Sequence, residues 1–180
     1  MPSNYKSLIP AFGTAYNNMG GTPSLAYWAP RGDFLALQDL PASPVNPEDA
    51  YVIATAHTFT QGNRFYEIYT SQTKGQFSIE ALGEEDGGGW KATGSLFLPG
   101  DSKDINFMAN RIRSDWGIFL FPDADGFLNQ VGTAKHKPFV KMTKDTGLVT
   151  GGGKGYTLTI EAHMPWKIIY AAAVTTTPAA

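Results

Sequence analysis

Alternation with period two constrains this chain more than any other feature. Gln76-Phe77-Ser78-Ile79-Glu80-Ala81 and Tyr156-Thr157-Leu158-Thr159-Ile160-Glu161 each place an apolar residue at every second position. A strand with one buried and one wet face reads this way, because successive side chains point to opposite sides of the sheet. Between the two runs lies a single helical spacing, Ile105, Met108, Ala109 and Ile112 at i, i+3, i+4 and i+7. The fold class expected is mainly β, with one short helix.

Turn chemistry divides the rest. Strands are expected at 24–28, 33–38, 50–59, 64–71, 75–82, 90–98, 116–121, 127–132, 156–162 and 166–171. Thr60-Gln61-Gly62-Asn63 reads as a tight turn joining the third and fourth, and Asp123-Ala124-Asp125-Gly126 as the turn of a later hairpin. Residues 144–154 read as a turn-rich loop, and 156–171 as a last hairpin broken at Pro165. Asp101 or Ser102 caps the helix, placed at about 102–113, with Asp104 in its first turn and Arg111 and Arg113 at its end.

Residues 1–49 differ. Prolines at 2, 10, 23, 30, 41, 44 and 47 prevent long regular elements there, since proline lacks a donor and restricts its predecessor. Yet Tyr5, Phe12, Tyr16, Tyr27, Trp28 and Phe34 are too many rings for a solvated segment. The segment is expected to be an extended arm that buries these rings on its own or a neighbouring subunit. The domain proper then spans 50–174, and 175–180 form a loose tail.

Composition narrows the function. The 180 residues suffice for one domain with a real core. Charged residues are only 17% of them, which suits a surface covered by neighbours. A net charge of −2 opposes tight binding to nucleic-acid phosphates. Cysteine is absent, so disulfides, thiolate metal sites and a cysteine nucleophile are excluded. The segment Met1-Pro2-Ser3-Asn4-Tyr5-Lys6 lacks the apolar stretch of a signal peptide, and no apolar run approaches the length of a bilayer span. No membrane is expected.

No motif carries catalysis. In Gly151-Gly152-Gly153-Lys154-Gly155 the first glycine of a phosphate loop would fall on Leu148, and Gly155 stands where Ser or Thr would hold magnesium. Asp123-Ala124-Asp125-Gly126 lacks the later ligands of a calcium loop. His57, His136 and His163 show no ligand spacing for zinc. Glu80, Glu84, Glu85, Asp86 and Glu161 include enough carboxylates for a glycosidase pair, whose separation no sequence reveals. Aromatic residues on the strands read as core before they read as a sugar platform. The expectation is no enzyme, no metal and no cofactor.

Taken in order, residues 75–171 resemble a known family. Gly75-Gln76-Phe77-Ser78-Ile79-Glu80, the acidic glycine turn, Leu98-Pro99-Gly100 and the helix at 104–112 open the match. Trp116-Gly117-Ile118-Phe119-Leu120-Phe121-Pro122-Asp123, Gly126, Val131-Gly132 and Gly155-Tyr156-Thr157-Leu158-Thr159-Ile160 continue it. The order and spacing resemble the major tail tube proteins of tailed bacteriophages, more particularly those of phages infecting Bacteroidetes hosts. The resemblance implies a two-sheet antiparallel sandwich of the tail-tube kind, flanked by a helix. It implies a homo-oligomer of stacked, hexameric rings in the virion tail, made in the host cytoplasm and joined to other tail proteins. DNA then passes through the lumen without specific binding. Glu80, Glu84, Glu85, Asp86 and Glu161 become candidates for the lumen lining, and the aromatics of residues 1–49 for the subunit interface. The alternatives are a carbohydrate-binding β-sandwich module, a small hydrolase, or another phage part such as a tail terminator or decoration protein.

Overall fold

The computed structural model describes residues 24–71, 73–83, 88–123, 127–147 and 153–179. Among these residues, twelve strands and one α-helix form two packed sheets with a small ribbon beside them, a mainly β, sandwich-like fold. The strands are β1 (Leu25–Pro30), β2 (Phe34–Ala36), β3 (Val52–Ile53), β4 (Thr58–Phe59), β5 (Tyr66–Tyr69) and β6 (Gln76–Leu82). After them come β7 (Gly89–Pro99), α1 (Lys103–Arg111), β8 (Gly117–Pro122), β9 (Leu128–Val131), β10 (Phe139–Asp145), β11 (Gly155–Met164) and β12 (Ile168–Tyr170).

The larger sheet runs β3-β12-β9-β8-β1-β5, the smaller β10-β11-β7-β6, and β2 pairs with β4 alone. The smaller sheet is antiparallel throughout. The two sheets pack through Trp28, Tyr66, Leu96, Leu98, Phe119, Phe121, Leu158 and Ile160, and α1 closes this core with Met108 and Ile112. A second cluster forms on the far side of the larger sheet, where Ile118, Leu120, Ile168 and Tyr170 meet Phe34, Phe59 and Phe65. Strand β8 is therefore buried on both faces, which explains its unbroken apolar run.

Close approach dictates glycine at Gly94 and Gly117, among others. The Phe121 ring stacks on Phe77 at 4.6 Å and lies over Gly94, where a Cβ would meet it at 2.5 Å. At Gly117 a Cβ would sit 2.1 Å from the Ala29 carbonyl oxygen. Helix α1 begins at Ser102, whose Oγ accepts the Ile105 N–H at 3.2 Å, so Ser102 and not Asp101 is the cap.

Several expectations need correction. Residues 24–36 are no arm, because β1 lies inside the larger sheet between β8 and β5. Trp28 and Phe34 are only 1% and 5% exposed, buried in the chain's own cores and closed to a neighbouring subunit. Tyr27 is half-buried against the second cluster. Tyr5, Phe12 and Tyr16 lie outside the described residues.

The expected strand at 50–59 is broken into the 3-10 turn Pro47–Tyr51 and the short pieces β3 and β4. Its turn at Thr60–Asn63 does form, with Asn63 N–H on the Thr60 carbonyl at 3.0 Å. It joins no hairpin, since β4 pairs with β2 and β5 with β1. Strands β11 and β12 are likewise no hairpin: the chain crosses from the smaller to the larger sheet through Pro165, and β12 pairs antiparallel with β9 and parallel with β3. Strand β10, where no strand was expected and whose last two residues fall in the loop expected at 144–154, completes the smaller sheet. Nor is 175–179 loose. The Phe65 N–H donates to the Thr175 carbonyl at 2.9 Å, and Ala179 exchanges backbone bonds with Gly62 and Asn63 at 2.9 and 3.1 Å.

Candidate functional site

Among the described residues, the smaller sheet has one covered and one open face. Along β11, Tyr156, Leu158, Ile160, Ala162 and Met164 are buried, while Thr157, Thr159, Glu161 and His163 point outward. Strand register extends these outward residues into rows. Thr159 stands between Lys141 and Ser95, with Gln76 beyond. Glu161 stands between Phe139 and Thr93, with Ser78 beyond. His163 lies beside Lys91, and Lys91 beside Glu80.

Glu80 and Glu161 therefore share this face, brought together by the parity of their strands. Glu84, Glu85 and Asp86 lie outside the described residues. Glu161 accepts from Lys91 Nζ at 3.2 Å and His163 Nε2 at 3.3 Å. Chiefly the lysine, and then the histidine, hold its carboxyl below the usual glutamate range, so it stays ionised. The face is rich in hydroxyls, and its acids Glu80, Glu161 and Asp145 are balanced by Lys74, Lys91 and Lys141. Lys74 Nζ sits 4.2 Å from the Phe97 ring centre, over one wall of a shallow groove of about 550 Å³ that Ser95, Asp145 and Thr157 also line. An exposed row of coplanar rings is absent from the described part of this face. Phe97 is covered by Lys74, and Phe139 stands alone at the edge.

The sheet also has two uncovered edges. Among the described residues no strand pairs with the outer side of β6 or of β10. Each leaves alternate backbone N–H and C=O groups pointing away from its neighbour, a template for a further strand. Beside the β10 edge, Asp101 Oδ2 accepts from Lys144 Nζ at 2.7 Å and Lys154 Nζ at 3.1 Å, and its Oδ1 accepts from the Tyr156 hydroxyl at 3.1 Å. These bonds, the lysines first, pull the Asp101 carboxyl down to about 2 and pin the corner between β7 and α1 to β10 and β11.

The three histidines sit apart in distinct roles. His57 is 2% exposed among Phe34, Phe65 and Tyr170. Its Nδ1 accepts the Gln38 N–H at 3.0 Å, which assigns the ring proton to Nε2, donated to Gln130 Oε1 at 3.0 Å. Burial lowers its pKa, against the opposing bond to Gln130. His136 closes a turn on Thr133. Among the described residues no group of three or more His, Asp or Glu side chains is arranged to hold a metal ion, and no helix is long and apolar enough to cross a membrane.

Comparison with protein-family models, with curated proteins and with solved structures finds no match for this chain. The sequence signal for the edges was the pair of strands β6 and β10, of which only the first was legible.

Proposed function

We propose that this chain is a structural subunit of a phage tail tube, in which copies join edge to edge through the smaller sheet and enclose a lumen. One observation carries the reading. The smaller sheet has four strands, all antiparallel, so its two free edges, β10 and β6, run in opposite directions. Copies related by rotation about a common axis bring β6 of one beside β10 of the next in antiparallel order. The ladder then continues without a break and can close, which removes both edges. Six copies would give a barrel of about 24 strands, large enough for an open channel.

The open face becomes the channel wall. Its hydroxyls and balanced charges offer no basic stripe to grip phosphates, so DNA passes without being held. The larger sheet, covered on both sides, forms the outer layer. Rings then stack through parts of the chain outside the barrel, with other tail proteins at the ends.

Electron microscopy of the purified protein at high concentration tests the reading, with added salt to weaken surface repulsion. Hollow tubes with a regular axial repeat are expected. Single closed rings that never stack would favour a terminator role. Dispersed monomers at every concentration, even beside a preformed tail tip, would sink the proposal.

A further inference from the structure

We infer that copies of this chain join in one strand register, with β6 of one protomer antiparallel to β10 of its partner, Gln76 facing Asp145 at one end and Leu82 facing Phe139 at the other. The inference rests on the ring reading above and specifies its seam residue by residue.

Length is the first argument. Both strands have 7 residues, and only this register pairs every one of them. Because side chains alternate, any competing register must slide by two residues to keep buried faces buried. Each such slide leaves two residues of either strand unpaired.

Chemistry is the second. Leu82 and Phe139 are large apolar side chains left 38% and 70% exposed at opposite edges of the open face. The register sets them against one another, so that each covers part of the other's apolar surface. It also sets Glu80 opposite the partner's Lys141. Among the described residues neither of these forms an ion pair or a side-chain hydrogen bond within its own chain. On the covered side, Ile79 falls opposite the partner's Met142, and the exposed Ala81 opposite the partner's buried Val140, which extends the apolar core across the seam. Opposite charges and apolar pairs directly across a ladder favour it, and mismatches oppose it. Sliding one way puts Glu80 against Phe139 and Lys141 against Ser78. Sliding the other way puts Lys141 against Leu82 and Glu80 against Thr143.

The chain has no cysteine, so disulfides can be placed at will. Ser78 and Thr143 lie at opposite edges of the sheet, three strand spacings across and four residues along, about 20 Å apart, too far for a bond within one chain. The variant Ser78→Cys/Thr143→Cys, assembled at high concentration and then oxidised, is expected to give a ladder of covalent multimers on a non-reducing gel. The shifted pairs Ser78→Cys/Lys141→Cys and Glu80→Cys/Thr143→Cys should cross-link at least several-fold less. A thermal melt of each variant under reducing conditions checks that it folds. A shifted pair that cross-links best overturns the register. Tubes without a cross-link in any variant put the seam elsewhere and leave the ring reading standing. Monomers throughout, for the unsubstituted chain as well, overturn both.

Discussion

Strands β8 and β11 pass through the same core, yet they face different surroundings. In β8 every residue from Ile118 to Phe121 is fully buried, alternately in the two clusters on either side of the larger sheet. In β11 the buried Leu158 and Ile160 alternate with the outward Thr157, Thr159 and Glu161. The larger sheet has thus spent both its faces on the chain's own packing, while among the described residues the smaller keeps one face and two edges uncommitted. A single chain that folds without those surfaces has them available for contacts beyond itself.

The sharpest way to break this contrast is a truncation in each sheet. Phe119→Ala empties a fully buried site and should cost about 3–5 kcal/mol in urea unfolding. A loss under 1 kcal/mol would mean that the larger sheet is less tightly packed than its burial indicates. The contact between the sheets comes next. Gly94→Ala drives a methyl group into the Phe121 ring, itself held by Phe77, and should cost about 1–3 kcal/mol by overpacking. An unchanged urea midpoint would show that the two rings can move aside.

Acid sharpens the comparison, since each side of the molecule has its own titrating group. His57, behind the larger sheet, has a folded pKa below its ordinary 6.5. The unfolded chain takes up the proton first, so stability falls as the pH drops below about 6.5. The charged ring would also lose its Nδ1 acceptor for Gln38. His57→Gln should flatten the slope of stability against pH in that range, and an unaltered slope would remove His57 from the account. Asp101, beside the smaller sheet, is held at about 2 against an ordinary 3.8. Its contribution is present above about 4 and is lost as the pH falls towards 2. Asp101→Asn should reduce that second, more acidic loss and leave the first untouched. The smallest effect belongs to the open face. Thr159→Ala should change the stability of the single chain by no more than about 0.5 kcal/mol, and a larger loss would mean that the face is already engaged.

Local features were legible in the sequence and distant ones were not. The hairpins β6–β7 and β8–β9 and the helix α1 depend on neighbours in the chain, and alternation, turn residues and capping announce them. Strand β10 escaped because its outward positions carry Phe139 and Lys141 and its later residues are polar, which blurs the two-fold pattern. The β11–β12 pair was misread because two strand patterns around a turn look alike whether the chain returns to the same sheet or crosses to another. Pro165 marks the crossing, but the parallel partner β3 lies more than a hundred residues earlier. At the candidate site, Glu80 and Glu161 were visible as strand carboxylates. That Lys91, Lys141 and His163 share their face depends on cross-strand register, which no single segment encodes.

The strap formed by residues 172–179 has a practical consequence. Ala172, Val174 and Ala179 pack behind the larger sheet, and Ala179 is tied there by backbone bonds to Gly62 and Asn63. Whatever is joined beyond Ala179 therefore departs from the side of the molecule turned away from the open sheet. A fluorescent or affinity module fused at that point would be displayed around the rim of any assembly built from the smaller sheet. In the tube proposed above, the bore would stay clear, and each copy would offer one evenly spaced external attachment point.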